Sequence, residues 1–277
     1  MTLSILLILS LLSAIGCSWT SFDTLHWLWI MPVSFLGTFV VLVALVAATV
    51  CLLSVPVNIN KPQERDSKLY RFVIAVAIDL LIPLLGVRLH TQGLEMTPKS
   101  GRVMVVCNHL YDIDPGVLLH CFRKSQLAFI AKREVANLPV VCKYLHKTMG
   151  QFVNRENDRE ALRTILNCIK LIKEDRVSIG VFPEGYCSPD GKLHPFRHGV
   201  FKIAQKTNVP IVVCTLRNTK QVLPNFKRFK STHVHMHLVG VLQPEDYQGL
   251  STVELGNKVH AMMAADLGPD LVLQTEE

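Results

Sequence analysis

The chain has 277 residues, 49% hydrophobic and 18% charged, with a formal net charge of +7. The apolar surplus excludes an intrinsically disordered chain, the lack of a Gly-X-Y period excludes collagen, and the length suits one large domain or a domain with an appendage. Charge is unevenly placed: residues 1–60 hold no Lys or Arg and a single acid, Asp23, so a chargeless apolar head joins a basic body, as in a membrane protein whose soluble part faces anionic material.

Leu3–Cys17 is apolar apart from three serines and lacks the positive leader of a secretory signal, so it reads as a retained segment. Trp27–Val57 carries no charge, and its core Phe35–Leu53 alone exceeds the ~18 apolar residues that suggest a membrane helix. Trp19, Trp27 and Trp29 lie between the first segment and the core of the second, where interfacial aromatics belong. Two crossings and a re-entrant hairpin both fit. Lys61, Arg65, Lys68 and Arg71 follow directly, which places this flank and the body on the cytoplasmic face of the membrane. Tyr70–Val87 is a third apolar run, interrupted by Asp79 and Pro83. It is expected as an amphipathic helix on the bilayer or against the body, because Asp79 at mid-bilayer would cost ~2.5–3.5 kcal/mol. The domains predicted are therefore a helical membrane anchor at 1–60, an interfacial helix at 61–87 and a body at 88–277.

The body alternates strand-like and helix-like units. Strands are predicted at Val103–Cys107, Leu127–Ala131, Phe152–Val153, Val177–Phe182, Val209–Leu216 and His233–Val241. Helices are predicted at Pro115–Phe122, with Asp114 as its cap, and at Val135–Lys147, Asp158–Glu174, Val200–Lys206 and Val253–Leu267. This pattern implies an α/β fold, a mostly parallel sheet flanked by helices, with functional loops at the carboxyl ends of the strands. The eight cysteines form no C-x-x-C pair and mostly sit in apolar runs, so they read as buried hydrophobes rather than disulfides or zinc ligands.

Four segments carry the candidate chemistry. In Asn108-His109-Leu110-Tyr111-Asp112-Ile113-Asp114-Pro115, a histidine leaves a buried strand and an aspartate five positions on can reach back to its imidazole, a general base with its orienter. Asp112 is a rival orienter on spacing alone. Gly150–Arg155 ends in an arginine suited to gripping a phosphate with two hydrogen bonds. Val181-Phe182-Pro183-Glu184-Gly185-Tyr186 stops a buried strand at proline and places a carboxylate beside a glycine. Val209–Val213 is an apolar strand.

In this order the four segments resemble the sequence blocks of the glycerophospholipid acyltransferase family, most closely its PlsC-like 1-acyl-sn-glycerol-3-phosphate acyltransferases. The resemblance covers roughly Arg88 to Leu242. It implies that His109 is the catalytic base and Asp114 its partner, that Arg155 binds the glycerol phosphate, and that the third block contributes Glu184 as a further catalytic residue with Gly185 beside it. Asn108, Lys132 and Arg197 join Arg155 and Gly185 as expected substrate-binding residues. The family commonly continues its third block as Thr-Arg-Ser, whereas Tyr186-Cys187-Ser188 stands here. Arg197 or Lys202 then replaces the missing arginine, or the acceptor head group is not a simple phosphate.

The implied reaction is transfer of an acyl chain from acyl-CoA or acyl-carrier protein to a lysophospholipid hydroxyl, by default that of 1-acyl-sn-glycerol 3-phosphate, giving phosphatidic acid. His109 takes the hydroxyl proton and the alkoxide attacks the thioester. No Ser or Cys nucleophile is required, Gly-x-Ser-x-Gly is absent, and no cofactor or metal is expected. Cys187 lies near the site in sequence and stays under suspicion. The alternatives are acylation of another lysolipid or an amine-bearing lipid, or a non-catalytic lipid-binding protein of the same fold. Phe226-Lys227-Arg228-Phe229-Lys230 reads equally as an anionic-lipid contact or a solvated loop, and nothing accompanies it to suggest nucleic acid. His233, His235 and His237 share a strand face without a carboxylate to complete a metal shell.

Overall fold

A computed structural model of the chain describes residues 2–19, 25–154 and 157–273. Two antiparallel helices come first, α1 (Thr2–Ser18) and α2 (Trp27–Ser54), followed by α3 (Lys68–Leu84). The face of α1 that turns inward is Leu6, Ser10, Ala14 and Ser18, mostly small residues at helical spacing. The Ser10 and Ser18 hydroxyls bond the carbonyls one turn back at 2.8 Å, so no polar group is stranded and the helices approach closely. Outward the pair is apolar: α2 is long and apolar enough to cross a membrane, and Trp29, Val33, Leu36, Leu45 and Leu52 are all exposed.

The base of this hairpin rests on α3. Tyr70 donates to the Leu53 carbonyl at 2.7 Å, and Thr2 reaches the Asp79 carboxylate at 3.5 Å. Those two positions are about 13 Å apart along a helix, so α3 crosses beneath the hairpin. The inner face of α3, including Ile78 and Ile82, enters the core of the body, while Leu69, Phe72 and Leu81 stay exposed. Asp79 is not left bare: its side chain is 7% exposed and pairs with His120 at 2.8 Å and with Arg123. Arg71, expected among the charges of the membrane flank, is instead a structural clamp. It bonds Asp66 at 2.5 Å and the carbonyls of Leu127, Gln126 and Thr148 at 2.9, 3.1 and 3.2 Å.

The body is a seven-stranded sheet in the order β1-β7-β6-β2-β5-β3-β4. The strands are β1 (Val87–Gln92), β2 (Met104–Cys107), β3 (Leu127–Lys132), β4 (Gln151–Val153), β5 (Ser178–Val181), β6 (Ile211–Arg217) and β7 (Thr232–Leu242). β6, β2, β5, β3 and β4 are parallel, and β2 and β5 are buried throughout, as expected of a sheet covered on both faces. β7 runs antiparallel to β6, pairing Arg217 with His235, and β1 lies parallel to β7. The first residues of β1 and β7 thus sit at the carboxyl ends of the five parallel strands. The remaining helices are α4 (Asp114–Cys121), α5 (Val141–Lys147), α6 (Asp158–Lys173), α7 (Lys202–Thr207), α8 (Val222–Phe226) and α9 (Thr252–Leu267).

Several expectations need correction. Val135–Lys147 is not one helix: a 3-10 turn, Arg133–Asn137, comes before Pro139, whose ring forbids continuation, and α5 starts after it. His198–Phe201 is likewise 3-10, ahead of α7. Asp114 begins α4 without capping it, because its carboxylate turns back into the preceding loop. The three histidines of β7 do share a face, but His233 and His235 stack on His90 of β1, and His237 finds the carboxylate that the sequence did not supply nearby, Asp266, at 2.5 Å. Among the described residues no cluster is placed to hold a metal ion.

Candidate active site

The site is assembled where β2 and β5 end. β2 is an apolar run with no exposure, and directly after it Asn108 locks the exit. Its amide donates to the Leu216 carbonyl at 3.0 Å and accepts from the Leu216 N–H at 2.7 Å, stitching the end of β2 to β6. Asn108 was expected to bind substrate; both ends of its side chain are committed to backbone instead.

His109 follows. Its Nδ1 lies 2.8 Å from Asp114 Oδ2, the same oxygen that accepts the N–H groups of Leu110 at 2.6 Å and Tyr111 at 2.8 Å. Asp114 is fully buried, and of the two carboxylates weighed from sequence it is the one that orients the ring. Asp112 is exposed, and its Oδ1 lies 3.6 Å from Cys187 Sγ. The imidazole stacks on Phe182 at 4.2 Å between centroids, and Phe182 stacks in turn on Phe129. With Nδ1 held by a carboxylate, Nε2 is the nitrogen left to exchange a proton.

Nε2 faces Cys187 Sγ at 3.1 Å. Burial opposes charge on the ring, but hydrogen bonds to Asp114 and Cys187 outweigh it and raise the imidazole from 6.5 to about 9.

Glu184, expected with His109 and Asp114 among the catalytic groups, is a strut. Its carboxylate is 1% exposed and accepts the backbone N–H of His109 at 2.8 Å and that of His194 at 3.0 Å, so it fixes the two loops between which the site forms. Burial pushes it up to about 7 in spite of those hydrogen bonds. A further bond, from the Ser188 N–H to the His109 carbonyl at 2.7 Å, closes the loop.

Gly185 has φ +86°, and a Cβ there would meet the Arg197 side chain at 3.0 Å. This glycine is required by its left-handed backbone and by the arginine lying across it. Arg197 is anchored by its own N–H to the Pro183 carbonyl at 2.8 Å and leaves its side chain exposed over the turn. Lys132 is exposed at the carboxyl end of β3. Arg155 lies outside the described residues. A cleft of about 750 Å³ is lined by Asn108 and Leu110, the chain neighbours of His109, and by Arg217, Lys220 and His235, while His109, Asp114 and Cys187 themselves do not line it. Local sequence does not join Arg217 and His235 in this cleft, because only the reversal of β7 sets the two opposite each other.

Comparison with known proteins bears on this arrangement. Residues 88–217 match the family model described as Acyltransferase. The chain is 31% identical over 180 residues to a 1-acyl-sn-glycerol-3-phosphate acyltransferase of Borreliella burgdorferi, covering 64% of this chain and 71% of that one. It is 30% identical over 155 residues to the enzyme of the same name from Limnanthes alba, covering 56% of this chain and 53% of that one. Among solved structures it resembles the 1-acyl-sn-glycerophosphate acyltransferase PlsC of Thermotoga maritima, with a TM-score of 0.62, 25% identity, and coverage of 83% of this chain and 90% of that one. Fold, dyad and matches together make this protein an acyltransferase. Within that class the chain belongs to the PlsC-like family, as the four sequence blocks implied.

Proposed function

We propose that the protein transfers a fatty acyl chain from a thioester donor, acyl-CoA or acyl-carrier protein, to the free hydroxyl of 1-acyl-sn-glycerol 3-phosphate, while held in a membrane by α1 and α2 with its body on the cytoplasmic face. The observation that carries this reading is the Asp114–His109 pair, set at 2.8 Å at the carboxyl ends of parallel strands with Nε2 turned away from the carboxylate.

The lysolipid hydroxyl displaces Cys187 from Nε2 and gives its proton to His109. The oxygen attacks the thioester carbonyl, Asp114 stabilises the imidazolium, and as the C–S bond breaks the departing thiolate takes the proton. Glu184 keeps the His109 backbone in place. Arg197, Lys132 and Arg155 supply positive charge for the acceptor phosphate. The apolar, exposed surface of α2 and the flank of Lys61, Arg65 and Lys68 support the membrane placement, to which Arg71, as a clamp, does not contribute. One observation favours a second reading, acylation of a different lysolipid: Tyr186-Cys187 stands where the family commonly places Thr-Arg.

The experiment is acyl transfer from labelled oleoyl-CoA and oleoyl-carrier protein to a panel of lysolipids, wild type beside His109→Ala. Preferred acylation of lysophosphatidate, abolished in H109A, is the expected result. Equal rates in the two proteins would end the role of His109, and preference for another head group would replace the acceptor. Arg155→Ala should raise the KM of the acceptor and leave that of the donor.

A further inference from the structure

The turn between α8 and β7 is built to hold an aromatic ring out of the protein. Phe229 is 99% exposed, and its φ is +54°, a left-handed conformation that a phenylalanine ordinarily avoids. The turn is not loose: the Arg228 and Lys230 N–H groups both bond the Asn225 carbonyl at 2.9 Å, the Phe229 N–H bonds the Phe226 carbonyl at 3.0 Å, and the Asn225 side chain holds Thr232 at 3.1 Å. Phe226 is 45% exposed beside it, and Lys227, Arg228 and Lys230 are exposed around the two rings. From Gly191 to Pro244 the sequence holds no Asp or Glu at all, so no acid on this stretch offsets the cations.

Its position matters as much as its composition. The Thr232 N–H bonds the Gly86 carbonyl at 2.9 Å, which seats the turn beside the end of α3, the helix that crosses beneath the apolar hairpin. Leu69, Phe72, Leu81 and Leu84 leave that same helix with exposed apolar surface. Because β7 is antiparallel to β6, the turn also lies at the end of the sheet that carries His109.

We propose that the Phe226–Lys230 turn is a second membrane contact, seating Phe229 among the headgroups of an anionic leaflet on the catalytic side of the sheet. This rests on the membrane-bound reading above and adds to it a specific lipid charge and a specific residue. A fully exposed ring gains by entering the interface, three cations favour anionic headgroups, and the hairpin base lies on the helix next to the turn. The contact presents the dyad to the surface that supplies the lysolipid.

The test uses the full chain with its three tryptophans replaced (W19F/W27F/W29F) and F229W added, mixed with phosphatidylcholine vesicles with or without phosphatidylglycerol. Vesicle flotation reads the anchor; emission wavelength and quenching by brominated lipid or by aqueous acrylamide read Trp fluorescence from position 229. The expected result is a blue shift and quenching by brominated lipid in phosphatidylglycerol vesicles, lost when K227E/R228E/K230E is added although flotation persists. Flotation with position 229 still open to acrylamide overturns the proposal and leaves the anchor standing. Failure to float takes down the membrane reading and the proposal with it. In the otherwise unaltered chain, F229E should raise the KM for lysolipid presented in anionic vesicles about tenfold while leaving kcat on detergent-dispersed lysolipid unchanged; an unchanged vesicle KM counts against the contact.

Discussion

Replacing Asp114 by Asn removes the charge that orients His109 and nearly nothing of the side-chain volume. In the wild type the imidazole is raised from 6.5 to about 9, and the Asp114 hydrogen bond is the strongest influence opposing burial. At about 1.4 kcal/mol per pH unit, the site favours the imidazolium by about 3 kcal/mol. Proton transfer to His109 develops that same cation in the transition state, so D114N should lose roughly 10²-fold in kcat/KM. A general base works only when deprotonated, so wild-type kcat/KM should climb with pH until about 9. In D114N burial acts against a weakened partner, and the limb should fall to 6.5 or below. The assay is acyl transfer from oleoyl-CoA to lysophosphatidate across roughly pH 5.5–9.5, a window wide enough to hold both limbs, corrected for spontaneous thioester hydrolysis. A D114N enzyme with more than a third of the wild-type kcat/KM and its limb still near 9 would refute the reasoning.

Cys187→Ala removes the second hydrogen bond that raises His109, so the same limb should move to lower pH with kcat changed less than about tenfold; an unmoved limb shows that the thiol does not touch the base in solution. Asn108→Ala strands the buried N–H and C=O of Leu216, and chemical denaturation should report a loss of about 1–3 kcal/mol. Gly185→Ala forces a Cβ into a left-handed position against Arg197; a cost of about 1–3 kcal/mol and a raised acceptor KM are expected, and wild-type thermal stability would contradict the geometry. Glu184 is raised to about 7 by burial, so the folded state binds its proton more tightly than the unfolded one, and stability should fall as pH rises from 4.5 to 7. His109 adds to the fall between 6.5 and 9, its stabilisation being complete below 6.5. Glu184→Gln should flatten the first part of that slope, as read by thermal melts at stepped pH.

What could be read from sequence alone follows from how local the signal is. β2, β5 and β6 are short apolar runs closed by polar or proline breaks, and α6 has an apolar stripe at helical spacing, so each is specified by its own residues. The dyad was legible because the two groups lie five residues apart around one turn. β1 was missed: Val-Arg-Leu-His-Thr-Gln is largely polar and becomes a strand only through pairing with β7, some 145 residues later. The direction of β7 is likewise a property of the assembled sheet. Glu184 was expected among the catalytic residues and Asn108 among the substrate-binding ones; only tertiary contacts reveal that each serves backbone groups across the site. Cys187 was placed near the site by sequence, but its approach to Nε2 depends on the return of the Ser188 loop to His109.

The guanidinium of Arg71 has one further consequence. By gripping three carbonyls of the sheet side and a carboxylate of its own segment, it turns the passage from the hydrophobic hairpin to the catalytic half into a stiff elbow rather than a tether. On the proposed membrane seating, the imidazole would stand at one fixed height, and the lipid would have to rise to meet it, since the imidazole has no slack with which to descend.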